Sequence, residues 1–159
     1  EAAHYPDILD LDDRYTRLKG ETRVYLSDTL LTDFTLAFRV GGQKIWGRFP
    51  FFEAAFLGGK SDLRGFRFQR FAGEAAVWGN ADLRFFVKRI WMIFPADFGL
   101  FTFADAGRVW KNSNSPGNWH TDAGAGIWIA PVRRDFTISV GAGFSNEATQ
   151  VIAGLGFAF

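Results

Sequence analysis

The 159-residue chain contains no cysteine, so it has no disulfide, no thiolate nucleophile and no Cys-ligated metal site. Histidine is scarce, at two residues, and methionine occurs once. Net charge is also nearly absent. The 18 Lys and Arg against 17 Asp and Glu leave +1, which gives no general pull toward nucleic acid. No apolar run reaches the ~18–20 residues of a transmembrane helix. The opening EAAHYPDIL lacks the basic start and apolar core of a signal peptide and is expected to be a mature or a fragment end. What the sequence has in excess is 19 Phe, 6 Trp and 18 Gly, a composition that favours strands and close backbone approach over helices. With 48% apolar and 22% charged residues it is not a disordered tail.

Apolar residues alternate along most of the chain. From Glu74 to Lys88 the odd positions are Ala75, Val77, Gly79, Ala81, Leu83, Phe85 and Val87, while Glu74, Trp78, Asn80, Asp82, Arg84 and Lys88 fall on the other face. That is a strand with one face in an apolar medium and one wet. The same period appears over Tyr15–Leu26, Asp33–Gly41, Phe98–Trp110, Asp122–Ala130, Phe136–Phe144 and Gln150–Phe159. In the last of these Val151, Ala153, Leu155, Phe157 and Phe159 share the apolar face. Soluble strands are mostly ~5–6 residues long, whereas a tilted strand needs ~9–11 to cross a bilayer. The lengths therefore predict an all-β, transmembrane, antiparallel up-and-down β-barrel with about seven or eight strands in this chain. The alternative, a soluble sandwich, would need the apolar faces to pair with each other.

Connections alternate in length. Short turns are expected at Ser27-Asp28-Thr29, Phe94-Pro95-Ala96-Asp97 and Pro131 to Asp135, and long ones at Trp46 to Arg70, Lys111 to Trp119 and around Asn146. Short periplasmic turns and long extracellular loops are the outer-membrane pattern, and this places Phe159 on the periplasmic side. Residues 1–12, with Pro6 and several Asp, read as a loop or a strand remnant, and 13–159 as the barrel segment.

The stretch WGRFPFFEAAFLGGKSDLRGFRFQRFAG is the unusual loop, rich in aromatics and Arg. A loop of that length inside a compact domain is usually functional. Its centre is Leu63-Arg64-Gly65-Phe66, preceded by Gly58-Gly59. Further on come Gly79-Asn80-Ala81-Asp82-Leu83-Arg84 and Phe103-Ala104-Asp105-Ala106-Gly107. In their order and spacing these resemble the C-terminal barrel half of the bacterial surface-antigen superfamily, whose members include the assembly factor BamA, TamA and the transporters of two-partner secretion. The phrase FPFFEAAFLGG resembles a subgroup whose barrels follow phosphoesterase or patatin-like domains.

The resemblance implies that loop 47–70 folds back into the lumen with Leu63, Arg64, Gly65 and Phe66 at its tip. It implies that the terminal aromatics Phe157 and Phe159 act as an assembly signal, and that the chain is half of a barrel of about sixteen strands or a short form of it. An Arg in a lumen needs an anionic partner, and Asp105 and Asp82 lie on the face assigned to the lumen. Arg64 is thus expected to bond Asp105, shared with Asp82; the alternative is that all three are solvated lumen charges. Eight glycines on the inward faces of the last four strands, Gly99, Gly107, Gly124, Gly126, Gly141, Gly143, Gly154 and Gly156, leave room against the wall. Phe66 and Phe68 are the expected occupants; the alternative is that these glycines help the strands bend.

His120 and Asp122 share a face, with Ser139 and Ser145 as candidate nucleophiles, but neither serine sits in an elbow motif. Two histidines are sparse for a metal site built on His120, Asp122 and Asp105. No catalytic residue, metal or cofactor is expected. The resemblance implies insertion or translocation of protein at the bacterial outer membrane, through a glycine-rich last strand that can part and pair with a substrate strand. Expected partners are outer-membrane lipid, a substrate polypeptide, assembly machinery that reads the C-terminal strand, and a second copy or second barrel half; nucleic acid is not one. The rival is a small structural or adhesive barrel without a transport role.

Overall fold

The architecture follows from the period-2 pattern. The computed structural model describes residues 2–5, 15–28, 33–91, 95–111, 117–131 and 136–159. Its strands are β1 (Ala2–Tyr5), β2 (Tyr15–Asp28), β3 (Phe34–Gly47), β4 (Ala55–Leu57), β5 (Phe71–Gly73), β6 (Ala75–Trp91), β7 (Pro95–Trp110), β8 (Trp119–Pro131), β9 (Ile138–Ser145) and β10 (Thr149–Leu155). Eight of them form one antiparallel sheet in the order β1-β2-β3-β6-β7-β8-β9-β10, and β4 pairs with β5 inside the long loop. Every neighbour is the next strand of the meander, as an up-and-down barrel requires. The segment Ala2–Tyr5 pairs with Leu18–Tyr15 of β2 as an eighth strand. Thr29, Phe94, residues 6–12, 112–116 and 132–135, which carry parts of the expected turns and loops, lie outside the described residues.

β2, β3, β6, β7 and β8 run longer than the alternation suggested, and β9 and β10 run shorter. β3 continues past Gly41-Gly42 to Gly47, with Ile45 buried and Trp46 exposed. Ile45 is apolar on the inner face because at this end of the sheet that face packs on the loop. Pro95, Ala96 and Asp97 are the first residues of β7 rather than a turn, and a strand's first residue is a place where Pro is tolerated. A bulge between Phe86 and Lys88 of β6 shifts the phase. Beyond it Lys88 pairs with Phe98 on the outer face, and Arg89 faces Asp97 on the inner one with an Nε–Oδ1 distance of 2.8 Å. The sequence reading had put Lys88 inward; one extra residue reverses the faces after it.

The inner face is layered. Near the end formed by Tyr15, Gly47 and Ala75, an apolar layer joins Tyr15, Ile45, Ala76, Trp78 and Val109 of the wall to Leu57, Leu63 and Phe66 of the loop. Near the other end, Phe101, Phe103, Trp128 and Ala130 pack with Phe86, Ile152 and Phe157. Between them lies a layer of charge. The outer face is apolar and open, with Val40, Leu100, Ile127, Val140, Val151 and Leu155 exposed. An apolar band of that extent on a polypeptide surface is a contact for something other than water, and for a spanning sheet that something is lipid.

The sheet curls strongly. Arg39 of β3 and the ring of Phe159, which follows β10, are 4.9 Å apart. Five strand spacings of ~4.8 Å separate β3 from β10, roughly 24 Å in a flat sheet, so the two meet across a concave interior.

Large and small residues oppose each other on that interior. Gly99 pairs with Trp128, Phe101 with Gly126 and Phe103 with Gly124, and Trp78 of β6 pairs with Gly41 of β3. A Cβ at Gly126 would lie 2.5 Å from the Phe101 ring, and one at Gly41 the same distance from Trp78. Half of the glycine wall, Gly99, Gly124, Gly126 and Gly141, is therefore filled by aromatics of β7 and β8, not by Phe66 and Phe68 as expected. Phe68 is 76% exposed. The loop does occupy part of the wall: Gly107 meets Leu57 and Leu63, Gly143 meets the backbone of Arg64 and Gly65, and Gly154 meets Lys60.

These faces give a labelling prediction that uses the absence of native thiols. Single cysteines at Val140 and Val151 should react with a membrane-soluble maleimide and resist a charged one. A cysteine at Ser139, whose side chain is buried on the inner face, should show neither behaviour. Reversed reactivity at Ser139 and Val140 would mean a register off by one.

Candidate functional site: the loop tip and its wall

The loop is built to turn inward. After β3 a short 3-10 turn, Phe51–Glu53, leads into β4. Gly58 and Gly59 then take φ of 114° and 99°, a left-handed backbone that a side chain resists. Gly59 forms an isolated bridge with Leu63, its N–H donating to the Leu63 carbonyl at 3.0 Å. This tight hairpin projects Leu63, Arg64, Gly65 and Phe66 onto the inner face of β6 and β7, where all four are buried.

Arg64 is 3% exposed and meets two carboxylates. Its Nε donates to Asp105 Oδ2 at 2.8 Å and its Nη2 to Asp105 Oδ1 at 2.6 Å. The Arg64 backbone N–H adds a third bond to Oδ2 at 3.0 Å. Nη2 also lies 2.7 Å from Asp82 Oδ1 as an ion pair. The guanidinium carbon is 3.9 Å from the centre of the Phe103 ring. A planar fork against a carboxylate, stacked on an aromatic face, uses what Arg has and Lys lacks. Burial works against the Arg64 charge; the bonds and charge of Asp105 and Asp82 outweigh it, so the group holds its proton more tightly than a free arginine.

The charge layer extends beyond the pair. Asn80 sits opposite Asp105 in the ladder and donates through Nδ2 to Asp105 Oδ1 at 2.7 Å and to the Asp62 carbonyl at 2.6 Å. Its Oδ1 accepts from Arg39 Nε and Nη2 at 2.9 and 2.7 Å. Arg84 Nη2 donates to Asp82 Oδ2 at 3.1 Å and to the Phe159 carbonyl at 2.9 Å. Asp122 is the direct cross-strand partner of Asp105 and is buried beside Gly65, where a Cβ would stand 2.6 Å from that of Asp122. Only glycine fits at the third position of the tip. Arg39, Asn80 and Arg84 complete the site, and their link to the loop depends on cross-strand register, which no local motif displays.

The other candidates fall elsewhere. Phe66 packs edge-on against Phe71 at 5.2 Å, and Phe71 stacks on His120 at 3.6 Å, so His120 is a packing residue. Ser139 Oγ donates to the Gly156 carbonyl at 2.7 Å, and Ser145 Oγ caps its own turn at Ala148. The Ser–His–acid set is thus spread over separate contacts. Among the described residues no group of three His, Asp or Glu side chains could hold a metal ion. Phe157 and Phe159, placed by alternation on the lipid face, instead point inward. β10 ends at Leu155, and Gly156, with φ of 77°, turns the chain into the interior.

A curled antiparallel sheet, apolar outside, with a long loop salt-bridged to its inner wall defines a transmembrane β-barrel of the kind that carries an internal plug loop. More specifically, residues 6–158 match the Omp85 superfamily domain, and the chain belongs to that superfamily. Comparison with curated proteins finds no match. Membership places the protein among the outer-membrane barrels for protein assembly and translocation.

Proposed function

We propose that this chain inserts or translocates polypeptides at the outer membrane by pairing its free edge with a client strand, while the loop tip braces the wall from inside. The observation that carries this reading is an asymmetry. The tip is fixed to β6 and β7 by buried charge-assisted bonds, but the loop reaches β10 through an exposed lysine, Lys60, whose Nζ donates to the Ala153 carbonyl at 3.1 Å. β10 is seven residues long and β6 is seventeen. A short edge strand with unpaired backbone groups is a template for another strand. β1 and β10 form the two ends of the sheet among the described residues, so closure is assigned to a second copy or a second barrel half. In this reading Phe157 and Phe159 act as an assembly signal before folding and turn inward afterwards.

Proteoliposomes holding the purified chain should speed the membrane insertion of an unfolded client barrel several-fold over empty liposomes, read as protection from protease. Equal rates would favour the structural or adhesive barrel. Replacing Phe159 by Ala should lower assembly of the chain in cells far more than it lowers the urea midpoint of protein already folded. Normal assembly of that variant would remove the signal role.

A further inference from the structure

Parity also fixes what the outer face carries at the end where the long loop leaves the sheet. Lys44 of β3 pairs with Ala75 of β6, and two residues further Val77 pairs with Arg108 of β7. Lys44 shares its face with the exposed Val40, and Arg108 with the exposed Leu100. Both cations therefore stand on the wall that meets lipid. Trp46, Trp110 and Trp119 lie on the same face around them, and the first and last are 49% and 58% exposed. Tryptophans on an outer wall mark the level of the lipid headgroups. Among the described strands no Asp or Glu shares this face at this end. Neither cation has an ion pair among the described residues, and Arg108 Nε is buried there without a hydrogen-bond partner. The Arg108 guanidinium is steadied by the Trp110 ring, 4.9 Å away. Between the two cations the wall is low, with Gly42, Ala75 and Val77. A Cβ at Gly42 would meet nothing nearer than 3.4 Å, and one at Gly20, its cross-strand partner, nothing within 4 Å. These glycines leave a hollow rather than serve a close contact.

We propose that this hollow binds one phosphorylated glycolipid of the surrounding leaflet, with one headgroup phosphate on Arg108 and a second on Lys44. A cation on a lipid-facing wall is disfavoured unless an anion meets it, and at headgroup depth the membrane's own anions are phosphates. The Arg108 fork takes a phosphate at two points, and the Lys44 ammonium takes one as a point charge. Two strand spacings and two residues separate the positions, roughly 12 Å between their Cα atoms. That span exceeds a single phosphate and suits a sugar headgroup that carries one at each end. The pairing is particular to this end. At the opposite end the outer face of the described strands carries one cation, Lys88. The hollow also backs onto β6 and β7, whose inner face holds the loop tip through Asp82 and Asp105. The bound lipid thus ties to the membrane the same strands that the loop ties together from inside.

The inference does not depend on client handling, and its test contains no insertion step. The full chain, folded in zwitterionic detergent micelles, is titrated with a disaccharide glycolipid carrying two phosphates, and bound lipid is counted by native mass spectrometry. The same titration uses the glycolipid with one phosphate removed, a zwitterionic phospholipid, and a lipid whose two phosphates are one glycerol apart. The two-phosphate glycolipid should bind with one copy per chain and about tenfold more tightly than each of the others. Lys44→Ala/Arg108→Ala should erase that preference, Arg108→Lys should keep part of it, and Lys88→Ala should leave it unchanged. Inorganic phosphate should not displace the lipid, because the ion alone lacks the chains that lie on the outer wall. Equal binding of the lipids by the unaltered chain overturns the proposal without recourse to any variant. So does a preference that survives the double substitution, one that Lys88→Ala lowers as much, or displacement by inorganic phosphate.

Discussion

Replacing Arg64 by Ala is expected to cost about 3–5 kcal/mol in urea unfolding, the range for breaking a buried ion pair. The substitution leaves Asp105 buried without a cation and Asp82 with Arg84 alone, with the Asp122 carboxylate directly across the ladder from Asp105. Three carboxyl groups would then share one confined wall with Arg84 as the cation beside them. Arg64→Lys should recover a minor part, because an ammonium cannot reproduce the two-point contact with Asp105 or the flat stacking on Phe103. A double-mutant cycle with Asp105→Asn isolates the pair. A coupling energy near zero would mean that the contact carries no stability and the loop is held by packing alone.

Gly143→Leu should be comparably damaging, for a steric reason. A Cβ there would stand 3.0 Å from the Arg64 carbonyl oxygen and the Gly65 nitrogen, and 3.1 Å from the Arg64 carbonyl carbon. All three are backbone, and backbone cannot rotate away. The tip must retreat from the wall, so the loss should exceed the ~1–3 kcal/mol of simple overpacking and approach that of Arg64→Ala. The two substitutions remove the same docked state, so the double variant should be little worse than either single one. Full additivity would show that Gly143 and the loop tip act separately. Gly154→Ala is the mild comparison, since its obstacle is the mobile end of Lys60.

The alternation made most of the wall legible. From Glu74 to Phe86 the face of each residue follows from parity, and the interior positions of Asp82 and Asp105 follow with it. The tetrapeptide around Arg64 named the loop tip, and the cost of an unpaired buried charge pointed to its partners. Three features were not legible, each for a physical reason. Parity survives a strand but not a bulge, so Lys88 was placed on the wrong face. Gly156-Phe157-Ala158-Phe159 alternates as a strand does; its inward turn depends on a positive φ and on aromatic and arginine contacts contributed by β3, β6, β7 and β8. The roles of Arg39 and Asn80 require knowing that β3 and β6 are neighbours at one particular offset.

The offset between β7 and β8 has a safeguard of its own. Parity forbids a slip of one residue, because every apolar side chain would change faces. A slip of two keeps all faces correct, and hydrophobicity cannot oppose it. The paired sizes on β7 and β8 can. Gly99 faces Trp128, but the next two pairs run the other way, with Phe101 on Gly126 and Phe103 on Gly124. Sliding β8 by two residues in one direction sets Phe101 against Trp128. In the other direction Gly99 meets Gly126 and leaves a void. Bulk and absence of bulk thus form a lock-and-ward sequence along the ladder, and it corrects the one pairing error that polarity overlooks.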